Sequence, residues 1–380
     1  MNSLLNNTKG DRWIWLIVIL LAVYSAIGTL AYKRGVGAES ILMKHMAMIA
    51  GGIALMYFSH KLDYRHYRGL SKLLMVITLP LLVYTLVFGS RVNEASRWIA
   101  IPVIGLSFQT SDLAKLALIT YLARTLALKQ ENIKDVKQSF IPIMGAVCLV
   151  FILIALANLS TALMLFGVSV LLLIIGRISI KQIALTCLAG AVLLTGVLFL
   201  GPRHKTYVSR INAFLHPEIA NHDKSFQSDH AKIAIATGGL FGKGVGKSDE
   251  INYLPEAYSD EIYAIIVEEY GLVGGVLLVG IYLFLLYRCI IIVNKAPKAF
   301  GALLAAGLSF SLTIQAFANM AVAVGLGPVT GIPLPFVSMG GTSILFTSVA
   351  FGIILSVSKG IDEPKKVLVG EINELSPLAS

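Results

Sequence analysis

Residues 262–287 read IYAIIVEEYGLVGGVLLVGIYLFLLY, 26 residues whose only charged side chains are Glu268 and Glu269. At 1.5 Å per residue a helix of this length spans roughly 39 Å, more than a hydrocarbon core of about 30 Å requires. Comparable apolar runs lie at 13–32, 41–59, 71–88, 111–128, 139–157, 160–176, 181–201, 299–325 and 339–358. The chain therefore reads as an all-α polytopic membrane protein of about ten transmembrane helices. Composition agrees: 56% of the 380 residues are hydrophobic and 14% charged, against about 25% charged in soluble domains. The expected organisation is one transmembrane domain, 1–360, and a short cytoplasmic tail, 361–380. Segment 202–261 would be a large extracytoplasmic loop between helices 7 and 8.

An even number of spans puts both termini on one side, and loop charge chooses which. Eighteen Lys and Arg residues fall on the N-terminal side and five in the short loops opposite. The long segment 202–261 holds seven more, but long loops translocate largely regardless of charge. Both termini are expected in the cytoplasm, with the chain multi-pass in the membrane. Topology thus accounts for the net charge of +10, and no nucleic-acid partner is implied. Cys148, Cys187 and Cys289 all lie in apolar spans and read as reduced thiols. The first apolar run lacks a cleavage-site pattern and reads as a retained helix.

Segments 89–110, 202–261 and 326–338 then face outside, and they are the richest in Gly, Pro and polar residues. The cytoplasmic loops are short and basic, so no nucleotide cofactor is expected. Residues 242–248, GKGVGKS, resemble a phosphate-binding loop only superficially, because Phe241 stands where the pattern needs Gly.

Charges at membrane depth mark functional sites by default. Asp112 and Lys115 share a helix face at the start of the fourth span, where Thr110 or Ser111 can cap the helix. They are either an ion pair that pins the helix or a source of positive charge for an anionic ligand. Asp260 precedes the eighth span, and Glu268 shares its face while Glu269 points roughly opposite. Helix capping and catalysis both suit Asp260. Residues 325–343 hold three prolines and five glycines. Non-helical backbone at that depth must be buried in protein or line a wet cavity, so a re-entrant element is expected beside the plainer reading of a loop.

These segments are where a resemblance enters. The chain resembles the SEDS family of membrane peptidoglycan glycosyltransferases, the FtsW and RodA type. The matching pieces are Ala95-Ser96-Arg97-Trp98-Ile99, Phe108 to Lys115, Gln227, and Ala236 to Gly242. Leu254 to Asp260, Glu268 to Gly271 and Pro328 to Ser343 complete the set, in family order along the whole chain. The resemblance implies polymerisation of lipid II, an undecaprenyl-pyrophosphate-linked disaccharide pentapeptide, at the outer face of the bacterial cytoplasmic (inner) membrane. It also implies a class B penicillin-binding protein transpeptidase as partner, among divisome or elongasome membrane proteins. Asp260 matches the family's essential carboxylate, and Asp112 and Lys115 match further important positions. Three departures stand out: Tyr258 where His is common, Asn158 where a carboxylate is common, and Glu261 where Phe is usual. Leu254-Pro255-Glu256-Ala257 and Pro328 to Gly331 look closer to the division branch than to the elongation branch.

The reaction implied joins the 4-hydroxyl of one lipid-linked disaccharide to the anomeric carbon of another. A positioned carboxylate, Asp260, would accept the hydroxyl proton, an effect typically of about 10²–10⁴-fold. Cations would stabilise the departing pyrophosphate: Lys115, Arg97, Arg210, Lys243 and Lys247, with Mg2+ or Mn2+ as an optional addition. Asp112, Gln227, Glu256 and Ser338 complete the expected substrate-binding set. Glycines 238, 239, 242, 244 and 246 would bring backbone N–H groups to phosphate, or simply make a flexible loop. A lipid flippase and a division scaffold without catalysis are the competing readings.

Overall fold

Each of the ten apolar runs corresponds to one helix in the computed structural model, which describes residues 10–30, 38–92, 95–101, 106–216, 222–254 and 257–362. The helices are α1 (Arg12–Leu30), α2 (Ala38–Lys61), α3 (Tyr64–Phe88), α4 (Thr110–Leu128), α5 (Ile141–Ala155), α6 (Leu159–Ile175) and α7 (Ile180–Leu200). After two shorter helices, α8 (His204–Leu215) and α9 (His222–Gly238), come α10 (Ile262–Lys295), α11 (Ala299–Ala323) and α12 (Ser343–Asp362). Among the described residues, seven helices are long and apolar enough to cross a membrane. Of the other three expected spans, α1 and α6 are shorter apolar helices, and α4 carries Asp112, Lys115 and Arg124. The protein is a multi-pass membrane protein.

Local sequence explains several of the boundaries. Asp63 caps α3 by accepting from Arg65 N at 2.8 Å. Ser179 and Gln182 form a reciprocal capping box at the start of α7. Asn158 caps α6 through Thr161 N at 3.3 Å, a task Asn performs as well as Asp. Its departure from the family pattern therefore leaves the helix start intact.

Burial ranks the helices. α11 is central, with 78% of its membrane window inside the protein, against 17% for α7. Small buried residues on α11, among them Gly301, Ala305, Ala306, Gly307 and Ser309, let neighbouring backbones approach closely where no water drives association. α7 instead turns Leu188, Val192 and Phe199 outward, each more than half exposed, as a lipid-facing helix does.

Two of the expected loops contain regular structure. Residues 90–109 form a three-stranded antiparallel sheet, β1 (Ser90–Val92), β2 (Ala95–Ile101) and β3 (Leu106–Gln109), with Trp98 opposite Gln109 and Ile99 opposite Phe108. The described part of the long segment 202–261 contains α8 and α9.

The start of α1, the end of α10 and the end of α12 meet around Asp11, Arg288 and Ser358. The first helix thus begins at the end of the bundle where the last one finishes. Asp260 and the start of α10 lie at the opposite end, about 50 Å of helix away.

Candidate active site

Residues 324–342 between α11 and α12 are non-helical yet largely buried: Ile332, Leu334, Phe336, Val337 and Ser338 are each at most 4% exposed. Carbonyls without a helix ladder need partners at this depth, and side chains from the helices supply them. Asn319 Nδ2 donates to Ile332 O at 2.9 Å, Gln315 Nε2 to Pro333 O at 2.8 Å, and Ser25 Oγ to Val337 O at 2.9 Å. Tyr282 OH donates to Pro335 O. The expected re-entrant element is this segment. Ser338 belongs to its frame: its Oγ accepts from Leu334 N at 2.6 Å.

Asp260 is pinned to the same frame. Its backbone carbonyl accepts from Asn319 Nδ2 at 2.6 Å, and the neighbouring Tyr258 carbonyl accepts from Met339 N at 2.8 Å. The N-cap of α10 is Glu261, whose side chain makes no capping hydrogen bond. The Asp260 carboxylate flanks Gly331, together with Arg97. A Cβ at Gly331 would lie 3.5 Å from Asp260 Oδ2 and 3.9 Å from Arg97 Nη1. Both are ordinary contact distances, so it is the backbone, φ +63, that disfavours a larger residue at Gly331.

Three guanidiniums converge here. Arg97 of β2 and Arg203, just before α8, both donate to Ala157 O, at 3.0 and 2.8 Å. Arg210 of α8 donates to Val329 O at 3.2 Å. Burial first, then Arg203 and Arg210, push Arg97 down to about 10, which leaves it charged at neutral pH. Burial and Arg203 lower Arg210 as well, and Asp260 opposes the shift. Sequence reasoning named Arg97, Arg210 and Asp260 but not Arg203, which no local pattern distinguishes from the other basic residues of segment 202–261.

Asp112 and Lys115 form an ion pair. Lys115 Nζ is 2.8 Å from Asp112 Oδ1, with side chains 13% and 4% exposed, and it donates to Gln315 Oε1 at 2.9 Å. Through Gln315 the pair braces Pro333, and one helical turn further along α11 Asn319 braces Ile332 and Asp260. Lys115 thus ties α4 to α11 through Gln315. Neither Thr110 nor Ser111 caps α4: the cap is Gln109, whose side chain donates to Ser111 Oγ at 2.9 Å.

The glycine-rich stretch 238–249 also differs from expectation. Its N–H groups face protein acceptors, not an open phosphate site. Lys243 N donates to Glu268 O and Gly244 N to Glu269 O, both at 2.9 Å, and Gly246 N to Glu269 Oε1 at 2.9 Å. α10 breaks at Gly271, φ +70, and Leu272 N and Val273 N turn back onto Gly239 O and Leu240 O. The glycines allow this backbone-to-backbone docking, because a Cβ on Gly242 or Gly271 would collide with the opposing chain. Lys243 is the counterion of fully buried Glu268, at 2.6 Å, with Asp249 at 3.0 Å. The hydrogen bond to Glu268 raises the Lys243 pKa, desolvation opposes it, and Asp249 adds to it. Ser248 Oγ and Asp249 N complete the Glu268 shell. Glu268 and Glu269 do not face apart as expected, since the one loop reaches both. Lys247 is exposed on that loop, and Gln227 is half-buried on α9. Glu256 lies outside the described residues.

Residues 11–362 match the model of the FtsW/RodA/SpoVE family, described as cell cycle proteins. The chain belongs to this family. Stage V sporulation protein E of Bacillus subtilis (strain 168) is 36% identical over 350 residues, covering 90% of this chain and 94% of that one. A protein of Geobacter sp. (strain M18) named probable peptidoglycan glycosyltransferase FtsW is 35% identical, covering 89% and 92%. Among solved structures, a chain of a peptidoglycan synthase complex that coordinates polymerization and crosslinking superposes with TM-score 0.75 at 25% identity, covering 93% and 99%. The rod shape determining protein RodA of Thermus thermophilus, 24% identical, shares the fold with TM-score 0.69, covering 93% and 98%.

A protein-held Mg2+ or Mn2+ does not suit this family member's site. Divalent cations of this hardness want several oxygen ligands. Here Asp260 faces the guanidiniums of Arg97 and Arg210, and among the described residues no group of three or more His, Cys, Asp or Glu could hold a metal.

Proposed function

We propose that the protein is a peptidoglycan glycosyltransferase that polymerises lipid II at the outer face of the bacterial cytoplasmic membrane. The observation that carries this reading is the half-buried Asp260 carboxylate set beside Arg97 and Arg210, with Arg203 next to both arginines, on the re-entrant frame. Asp260 takes the proton of the acceptor 4-hydroxyl as its oxygen bonds to the anomeric carbon of the donor. The bond from that carbon to the pyrophosphate oxygen breaks, and its electron pair leaves with the lipid pyrophosphate. The arginines meet that developing charge; donors of this kind are worth about 10²–10³-fold each when removed singly. Arginine suits the task because its planar fork matches phosphate oxygens.

Placement outside the cell follows from the basic loops at the end of the bundle remote from Asp260. A class B penicillin-binding protein is the natural partner, since a structural relative comes from a synthase complex coupling polymerization to crosslinking. Relatives named FtsW and the Leu254 to Ala257 block favour a role in division. Asp260→Asn tests the mechanism. It is expected to fold normally, because the Asp260 main-chain bond to Asn319 is kept, and to lose polymer formation from purified lipid II. Normal polymer lengths and rates from that variant would remove Asp260 from the role of base.

A further inference from the structure

At the end of the bundle opposite Asp260, a cavity of about 280 Å³ opens between the start of α1 and the ends of α10 and α12. Three cations line it, Arg12, Arg288 and Lys295, against one carboxylate, Asp11. Arg288 is neutralised there: its Nε donates to Asp11 Oδ2 at 3.1 Å and its Nη2 bonds the same oxygen. Arg12 and Lys295 are exposed, and among the described residues neither joins an ion pair. The cavity thus keeps an excess of two positive charges, three cations less one carboxylate.

Its surroundings place it at a membrane interface. Trp13, half exposed, packs edge-on to Phe284 at 5.5 Å, and Phe284 stacks on Tyr287 at 6.3 Å, itself more than half exposed. Aromatic rings of this kind settle at headgroup level, and basic heads on aliphatic stems reach the same plane. Leu283 and Ile290 continue the exposed apolar face along α10.

We propose that this cavity binds the phosphate headgroup of an anionic glycerophospholipid, whose acyl chains lie along the Phe284–Tyr287 face of α10. Basic cavities between helices on the cytoplasmic side attract such headgroups. A free phosphate would find only two exposed charges, which salt screens. A lipid adds acyl contact with the neighbouring apolar face. A zwitterionic headgroup brings its own cation and loses the electrostatic gain. The site is separate from the glycosyl-transfer reading and stands without it.

The test is native mass spectrometry of the full chain in detergent, titrated in parallel with phosphatidylglycerol, phosphatidylcholine and inorganic phosphate. Phosphatidylglycerol is expected to bind in preference to phosphatidylcholine, and to weaken as salt is raised. Each basic residue contributes about fivefold, so Arg12→Gln/Lys295→Gln is expected to lose about 30-fold. The control pair Lys134→Gln/Lys137→Gln, exposed on another loop, should lose nothing. If the double variant is not monodisperse, Lys295→Gln alone, at about fivefold, and the wild-type salt titration decide the matter. Three results overturn the proposal: double-variant affinity within about threefold of wild type on that scale, equal retention of phosphatidylcholine, or displacement of the lipid by equimolar phosphate.

Discussion

Lys243 separates two physical roles that one measurement can distinguish. If it is the counterion of Glu268, Lys243→Met strands a carboxylate that is 0% exposed. Breaking a buried pair from one side costs about 3–5 kcal/mol. The low end applies, about 3 kcal/mol, because Ser248 Oγ and Asp249 N still reach Glu268 and because Lys243 is itself 27% exposed. Glu268→Gln removes the charge but keeps an acceptor for Asp249 N, and Lys243 retains Asp249 at 3.0 Å. That change should cost about 1 kcal/mol. In Lys243→Met/Glu268→Gln no charge is stranded, so the double variant should recover about 2 kcal/mol relative to the sum of the singles. The assay is a double-mutant cycle on equilibrium unfolding in detergent, with lipid II polymerisation followed alongside. Activity should track stability, low in Lys243→Met and regained in the double variant. Additive stabilities, or a double variant as inactive as Lys243→Met but fully stable, would show that Lys243 serves substrate and that the counterion argument is wrong.

Glu261, one residue before α10, is buried, and burial first and Asp260 second push its carboxyl up to about 8. The native state holds a proton there that the unfolded chain releases near pH 4.5. Its contribution is therefore complete below about 4.5 and is lost as pH rises through about 8. Glu261→Gln should flatten the unfolding profile across that window, and parallel profiles for variant and wild type would contradict the assignment. Gly271→Ala places a Cβ against Leu240 O and Gly242 N at φ +70 and should cost about 1–3 kcal/mol or more. Gly280→Ala, on the same helix with open space around it, is the control, and equal stability of the two variants in detergent unfolding would discount the docking role.

The membrane class, the positions of the helices and the side of the bundle that carries the basic loops were all legible in the sequence. Each depends on properties summed over local windows: twenty apolar residues have one way to satisfy their backbone in hydrocarbon, and charge asymmetry needs only loop assignments. Re-entrant character at 325–343 was legible for the same reason, from prolines and glycines at membrane depth. Which polar groups meet was not. Asp112 and Lys115 could be read as neighbours from their spacing, but Gln315, 200 residues on, showed no local mark of its role. Lys243 and the glycines of 238–246 looked like a phosphate site until Glu268, 25 residues later, proved to hold the lysine. Arg203 was one basic residue of seven in its segment until it and Arg97 converged on a single carbonyl, Ala157 O. Charge acts through a few ångströms of space and not along the chain. Only the folded arrangement of α4, α8, α10 and α11 decides which cations are already neutralised by a carboxylate.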